Sequence, residues 1–194
     1  IPSIYRPERL RDCLDAVIDT TAQLNTEIVC SIGQDDWLTQ RVLEDYPVVI
    51  TREHEGLTGA VIPWNESARK ATGDILVMVG DDCKVLEGWL DESLELLEQL
   101  DYCGIVGLND CSRTDGHVFS THIVTTRNYL AHCNGGVLFC PHYVHYYGDV
   151  ELCEYAQSQK RYKYAAHSKI DHRPSSPTQD IAERMQSDVV YRWA

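Results

Sequence analysis

The chain has 194 residues, a length that fits one α/β domain, and its 43% hydrophobic content supports a packed core and excludes a disordered chain. Seventeen Lys and Arg against thirty Asp and Glu give a formal charge of −13, which repels nucleic acid and anionic membranes. An anionic ligand would need a local cation, and no apolar run approaches the about 18 residues of a membrane span.

No signal peptide is visible. Ile1 to Ile4 reads as the end of a strand, so native residues are expected to precede it. Arg6 to about Thr21 reads as a helix: Leu10, Leu14, Val17, Ile18 and Thr21 recur at helical steps, and Pro7 suits the first turn. Glu27 to Ile32 is a strand, and Trp37 to Glu44 a short helix with Asp35 or Asp36 as its cap. Pro47 to Thr51 is the next strand. A Gly-rich turn through Gly56 and Gly59 precedes a helix over 60–72, with Gly73 at its C-terminal end.

Ile75 to Val79 is an apolar run of five residues bounded by glycines, which reads as a buried central strand of a parallel sheet. Leu86, Leu90, Leu94 and Leu97 predict a helix over 86–100, and Gly104 to Leu108 a further buried strand. After Asn109 the pattern changes. Val118 to Thr126 has strand character, Asn134-Gly135-Gly136 is a turn, and Val137 to Cys140 is a strand. Val150 to Ser158 is a helix and Tyr162 to Ala166 a late strand, followed by a polar tail from Pro174. The alternation predicts a mainly parallel sheet flanked by helices, with a mixed-sheet C-terminal extension. One domain is expected over residues 1–175, and 176–194 is a tail.

The eight cysteines are scattered without a CxxC pair, and several lie in apolar runs. That predicts a reduced, cytoplasmic protein and no disulfide framework. Cys133, Cys140 and His142 are a candidate zinc set, though their spacing matches no structural zinc pattern.

Two adjacent carboxylates, Asp81 and Asp82, follow the 75–79 strand. Ligands of open α/β sheets bind outside the carboxyl ends of the strands. A divalent cation is the simplest relief for the repulsion of two like charges; the plain alternative is a solvated turn with Asp82 as a helix cap.

The order of short motifs resembles the family 2 glycosyltransferases of the GT-A fold. A strand ends in Pro2-Ser3 and runs through Arg6 into a helix. Gly56, Gly59 and Asn65 follow, then Ala71-Thr72-Gly73-Asp74, the apolar strand, Asp81-Asp82, and Gly88-Trp89-Leu90. Gly135-Gly136 and Asp149-Val150-Glu151-Leu152-Cys153 close the series. Two departures stand out. The family's Asp-x-Asp reads Gly80-Asp81-Asp82, and the acidic turn after the second strand reads Ser31-Ile32-Gly33-Gln34-Asp35-Asp36, which leaves the choice of base open.

The resemblance implies a metal-dependent, inverting transfer of a sugar from a nucleoside diphosphate sugar to a hydroxyl acceptor. A uridine diphosphate sugar is the leading expectation. It implies a nucleotide-binding half over 1–108 and an acceptor half over 109–175. Pro2, Arg6 and Asp35 would lie near the nucleoside, Asp81 beside ribose and diphosphate, and Gly135 and Gly136 near the donor sugar. Asp82 and a late His, His172 in preference to His167, would hold Mn2+ or Mg2+, which oxygen ligands suit better than zinc. Arg173 is placed to meet phosphate, and Trp64 and Trp89 either stack on a ring or belong to the core. Asp149 and Glu151, two apart at a helix start, cannot share a face, so one acts as base; the motif favours Asp149. A nucleotidyltransferase and a non-catalytic binding module of the same fold are the alternatives. Acceptor choice is expected in loops, here 110–117 and the tail.

Overall fold

The computed structural model describes residues 1–55, 58–111 and 118–173. Pro2 bridges Ser31 in parallel, and the chain then enters helix α1 (Pro7–Thr21). Pro7 stands where a helix has no use for its N–H, and Leu10, Leu14, Val17 and Thr21 form the buried face. Strand β1 (Val29–Ser31) pairs in parallel with β2 (Val49–Thr51). Between them lies α2 (Trp37–Leu43), capped by Asp36, whose carboxylate accepts from the Thr39 N–H at 3.1 Å. Helix α3 (Val61–Lys70) and strands β3 (Ile75–Val77) and β4 (Cys83–Val85) follow, then α4 (Asp91–Glu98), β5 (Ile105–Asn109) and β6 (Ile123–Thr126). Helices α5 (Arg127–Cys133) and α6 (Gly148–Ser158) and strand β7 (Tyr162–His172) complete the order.

The second sheet has five strands in the order β3-β6-β5-β7-β4. Within it β5 and β7 run parallel and the other three pairings are antiparallel. The α/β class and the mixed extension are present, but the mixing reaches further back than the sequence predicts. Instead of lying centrally in a parallel ladder, β3 pairs antiparallel with β6 and is half-buried. Side chains alternate across β5: Val106 and Leu108 pack with α1 and α4, and Ile105 packs with α3, α5 and α6. Helices therefore cover both faces, as a period-2 strand with two apolar faces requires. Trp64 and Trp89 are buried in these two layers and serve as core residues, with the Trp89 indole N–H donating to Thr20 Oγ1 at 3.1 Å. Among the described residues, no helix is long and apolar enough to cross a membrane.

Four local expectations change. The helix expected from Leu86 begins at Asp91, because Cys83–Val85 is drawn into a ladder with β7 and Glu87 to Leu90 form turns. The strand expected over Val137 to Cys140 is irregular backbone. Its main chain is held by a side chain: Asn65 Nδ2 donates to the Phe139 carbonyl at 2.9 Å, and the Phe139 N–H donates to Asn65 Oδ1 at 2.8 Å. Helix α5 was not predicted, although Thr126 caps it by accepting from the Tyr129 N–H at 3.1 Å. The late strand runs on to His172 through an irregularity: Ala165 pairs with Leu108, whereas Lys169 pairs with the next residue, Asn109.

The Gly-rich turn before α3 is partly within the described residues. Gly59 has φ +79, and a Cβ there would lie 2.2 Å from the Val144 carbonyl oxygen. Only glycine allows that approach. Together, Gly59 and Asn65 fasten the 139–144 stretch to α3. Gly56, the tail from Pro174 and all of the 110–117 loop except Asp110 and Cys111 lie outside the described residues.

Candidate active site

The turn after β3 presents Asp81 and Asp82. Asp81 is 2% exposed and heads neither a solvated turn nor a helix, since the chain continues into β4. Its carboxylate accepts from Ser3 Oγ at 2.7 Å and pairs with Arg6 Nη2 at 2.7 Å. Arg6 Nη1 also stands 3.6 Å from Asp82 Oδ2. The repulsion between the two acids, expected to call for a metal, is thus already relieved by one guanidinium. Burial pushes the Asp81 carboxyl up to about 6; Arg6 and Ser3 hold it down against that, and Asp82 adds to the rise.

The join between Ser3 and α1 is bent sharply, with Tyr5 at φ +52. This left-handed residue turns Arg6 toward the acids. Two further contacts fix it: the Tyr5 N–H donates to Asp36 Oδ2 at 2.6 Å, and the Tyr5 hydroxyl donates to Asp35. Asp36, the residue between cap and site, is buried; the exposed Asp35 lies beside the first turn of the chain. Pro2, Arg6, Asp35, Asp81 and Asp82 are thereby gathered at one end of β1 and β3.

His172 arrives from the other end of the chain. It lies opposite Cys83 in the β4–β7 ladder, and its Nε2 is 3.6 Å from Asp82 Oδ1. His172 Nδ1 is 3.9 Å from Asp110 Oδ2, too long for a hydrogen bond. His167 stands in the irregular part of β7, where its N–H donates to Glu92 Oε2 at 2.6 Å. The guanidinium of Arg173 pairs with Asp171, and the Arg173 backbone N–H donates to the Asp82 carbonyl at 2.9 Å. A polar groove lined by Arg9, Asp12, Lys84 and Arg173 flanks the two acids.

Two residues beside this wall carried no signal in the sequence. Cys83 Sγ lies 3.1 Å from His122 Nε2, and the His122 and His172 rings meet edge to face at 4.8 Å. Burial, with His172 nearby, pushes His122 down to about 4, so it is a neutral imidazole at pH 7. Burial also pushes the Cys83 thiol far up. The candidate set of Cys133, Cys140 and His142 is not assembled: Cys140 Sγ is 3.5 Å from His142 Nδ1, and Cys133 joins no such group among the described residues. A second hidden group lies under the 31–36 turn. Buried Glu66 accepts from Ser31 Oγ at 2.7 Å and meets His54 Nδ1 at 2.7 Å. Nothing in the spacing of α3 marks Glu66 as buried.

The other four predicted residues lie at the end of α5 and at the start of α6. Gly135 and Gly136, with φ +60 and +84, make the turn that ends α5, and the Gly136 N–H donates to the Leu130 carbonyl at 3.0 Å. Asp149 and Glu151 stand in the first turn of α6, where negative charge meets the positive end of the helix. Asp149 is half-buried and its Oδ1 accepts from the Val150 N–H at 2.9 Å; Glu151 Oε1 is 3.4 Å from the Tyr143 hydroxyl. The turn into α6 is also left-handed, at Tyr147 with φ +67.

The fold around this site is shared with solved structures. A mannosyltransferase from Pyrobaculum calidifontis, solved with GDP-Man and Mn2+, superposes with a TM-score of 0.68 at 16% identity, covering 94% of this chain and 57% of that one. Staphylococcus aureus TarS 1–349, solved with UDP-GlcNAc, superposes with a TM-score of 0.65 at 14% identity, covering 97% of this chain and 64% of that one. The chain thus spans about three-fifths of the length of these structures, and at such identity the likeness establishes the GT-A fold alone. Among curated proteins, none matches the chain by sequence. The model of the glycosyl transferase family 2 matches residues 1–150, the stretch that carries the Pro2–Arg6 join, the Asp81–Asp82 turn and the start of α6, and the chain belongs to that family.

Proposed function

We propose that the chain is the transfer domain of a metal-dependent, inverting glycosyltransferase that moves a sugar from a nucleoside diphosphate sugar to a hydroxyl acceptor. The observation that carries this reading is the wall of Ser3, Arg6, Asp81, Asp82 and His172 at the end of β3. Family membership and the sugar nucleotides bound by the two structural relatives support it. A uridine diphosphate sugar is the first donor to try.

Asp82 and His172 offer one carboxylate oxygen and one imidazole nitrogen, 3.6 Å apart, a set that fits Mn2+ or Mg2+ with diphosphate oxygens as further ligands. Such a cation, when bound, offsets the charge that develops on the leaving diphosphate. The remaining work falls to the chain. Asp81, fixed by Ser3 and Arg6, orients the ribose and diphosphate end of the donor. Pro2 and Asp35 flank the nucleoside, so residues 1–108 form the donor half. In the acceptor half, 109–175, the Gly135–Gly136 turn lets backbone approach the donor sugar. Asp149 takes the acceptor hydroxyl proton as that oxygen attacks the anomeric carbon from the face opposite the diphosphate. One displacement from that side inverts the centre. Glu151 contributes charge at the same helix start.

A panel of UDP-glucose, UDP-GlcNAc and GDP-mannose tests this. Release of nucleoside diphosphate from one of them is expected, abolished by a chelator and restored by Mn2+. Formation of a sugar nucleotide from a nucleoside triphosphate and a sugar phosphate would make the protein a nucleotidyltransferase. Tight donor binding with no release in any mixture would make it a binding module.

A further inference from the structure

We infer that Cys83, His122 and His172 form a site for a softer divalent cation of the zinc type, set directly behind Asp82. One donor atom from each of the three lies within 4.8 Å of the others, and no other group of three such residues is assembled among the described residues. The closest pair, Cys83 Sγ and His122 Nε2, is 3.1 Å apart. Tetrahedral zinc, with Zn–S of about 2.3 Å and Zn–N of about 2.0–2.1 Å, needs donors roughly 3.3–3.6 Å apart. The Cys83–His122 pair is already near that spacing, and a ring nitrogen of His172 lies within 4.8 Å of both donors. Asp82 Oδ1 is a ready fourth donor, 3.6 Å from His172 Nε2 and 3.8 Å from Cys83 Sγ.

Three features besides proximity point the same way. The donors come from three separate elements: β4, the residue before β6, and the end of β7. The Cys83–His172 register is set by the ladder, not by loop conformation. Cys83 and His122 are buried at 3% and 2% exposure, so water is largely excluded from their side. Gly80, which stands where the family's first Asp is usually found, keeps the pocket open. A Cβ at that position would lie 2.7 Å from Asp82 Oδ1 and 3.5 Å from both Cys83 Sγ and His122 Nε2. The missing acid removes a hard oxygen donor from the wall, and the thiol and imidazole behind it supply soft ones. A thiolate with two imidazoles prefers zinc or cobalt to manganese or magnesium.

Without metal the pair is a neutral thiol beside a neutral imidazole. On binding, the Cys83–H bond breaks, the sulfur forms a bond to the cation, and the proton leaves to solvent. His172 and Asp82 belong both to this site and to the donor site proposed above. Zinc held here would therefore exclude Mn2+ and act as a competitive inhibitor of metal-dependent donor binding. That regulatory consequence rests on the donor reading; the metal site does not.

Titration of the protein with Co2+, in the absence of any nucleotide, separates the two. One equivalent should bring up a thiolate-to-cobalt charge-transfer band together with the strong visible bands of a four-coordinate ion, and Zn2+ should displace them. The bands should vanish in Cys83→Ser and in His122→Gln. They should persist in Cys140→Ser, which removes the other cysteine standing beside a histidine. Zinc affinity, read by competition with a chromogenic chelator, should fall on the order of 100-fold or more in Cys83→Ser. X-ray absorption of the zinc-loaded wild type, which needs no variant to fold, should give one sulfur with nitrogen and oxygen neighbours. No charge-transfer band, a band that survives Cys83→Ser, or a zinc shell without sulfur would overturn the site. Zinc binding that leaves Mn2+-dependent diphosphate affinity unchanged would sink the inhibition and leave the site intact.

Discussion

The two loci of the candidate site are built in opposite ways. The carboxylate wall gathers Ser3, Arg6, Asp81, Asp82 and His172 from distant parts of the chain; Asp81 meets Ser3 and Arg6 at 2.7 Å, and Asp82 stands 3.6 Å from Arg6 and from His172. The stretch from Gly135 to Glu151 is continuous in sequence and is held by a helix start, a left-handed tyrosine and the Asn65 clasp on Phe139. A wall whose charges are already paired is preorganised for binding. A carboxylate raised on the first turn of a helix is placed for one event in the reaction. Damage to the first should therefore be read in affinity and stability, and damage to the second in turnover.

The sharpest break is Asp149→Asn. Donor affinity should stay near wild type while kcat falls by about 10²–10⁴-fold, the usual contribution of a positioned base. Steady-state kinetics beside calorimetry of donor binding reads both, and an active Asp149→Asn would remove the base from this locus. Asp82→Asn should do the reverse. The loss of the anionic ligand should weaken Mn2+-dependent diphosphate binding on the order of 100-fold or more, with the far-UV spectrum unchanged. Wild-type affinity in the presence of Mn2+ would strip Asp82 of that role.

Asp81→Asn probes what burying the wall costs. The folded protein raises this carboxyl from 3.8 to about 6. Its contribution to stability is thus fully present below pH 3.8 and is lost as pH rises through about 6. The variant should gain on wild type between pH 4 and pH 7, by up to about 3 kcal/mol. Urea unfolding at the two pH values measures the gain, and an equal difference at both would mean the carboxyl titrates normally. Asn65→Ala removes both bonds to the Phe139 main chain and leaves its buried groups unsatisfied, at about 1–3 kcal/mol. For a domain of this size that is a drop of several degrees in Tm. If the clasp positions the second locus as well as stabilising it, kcat falls too. The smallest effect is Glu151→Gln, a loss of about 0.3–1 kcal/mol through helix-start electrostatics, with near-normal turnover. A dead Glu151→Gln beside an active Asp149→Asn would shift the motif by two residues.

Much of this was legible because it is local. The α1 stripe, an acidic cap at Asp35 or Asp36, the order of strands and helices to α3 and the acids after β3 all follow from spacing and turn chemistry. Leu86 and Leu90 continue the helical stripe of Leu94 and Leu97, so periodicity alone extends α4 too early; what stops it is the pairing of Cys83–Val85 with Ile170–His172, far along the chain. Helix α5 could have been found from Thr126, a cap residue just before Tyr129 and Leu130. The Val137–Phe139 run looks like a strand because its side chains are apolar. Yet Leu138 and Phe139 are buried without a ladder, since Asn65 bonds the Phe139 main chain and Asn134 donates to the Val137 and Leu138 carbonyls. Asp81, Asp82 and His172 were nameable from the order of motifs. His122 and Cys83 were not, because nothing local distinguishes a histidine before a strand or a cysteine after an acid. The register of β4 on β7 sets Cys83 opposite His172, and the fold brings His122 to Cys83 from the residue before β6.

The irregularity in β7 bears on which length changes this chain can absorb. Ala166, His167 and Ser168 fall between the pairing with Leu108 and the pairing with Asn109, and they are tied down from outside by Asn109, Glu92 and Ser93. The two ends of β7 therefore keep separate registers. An insertion or deletion in the connection from α6, or within those three residues, takes up slack there and leaves His172 facing Asp82. A single-residue deletion between Lys169 and His172 has no such refuge. It turns every following side chain to the opposite face and sets Arg173 across from Cys83. In lineages that diverge from this chain, indels should accumulate before Lys169 and be purged after it.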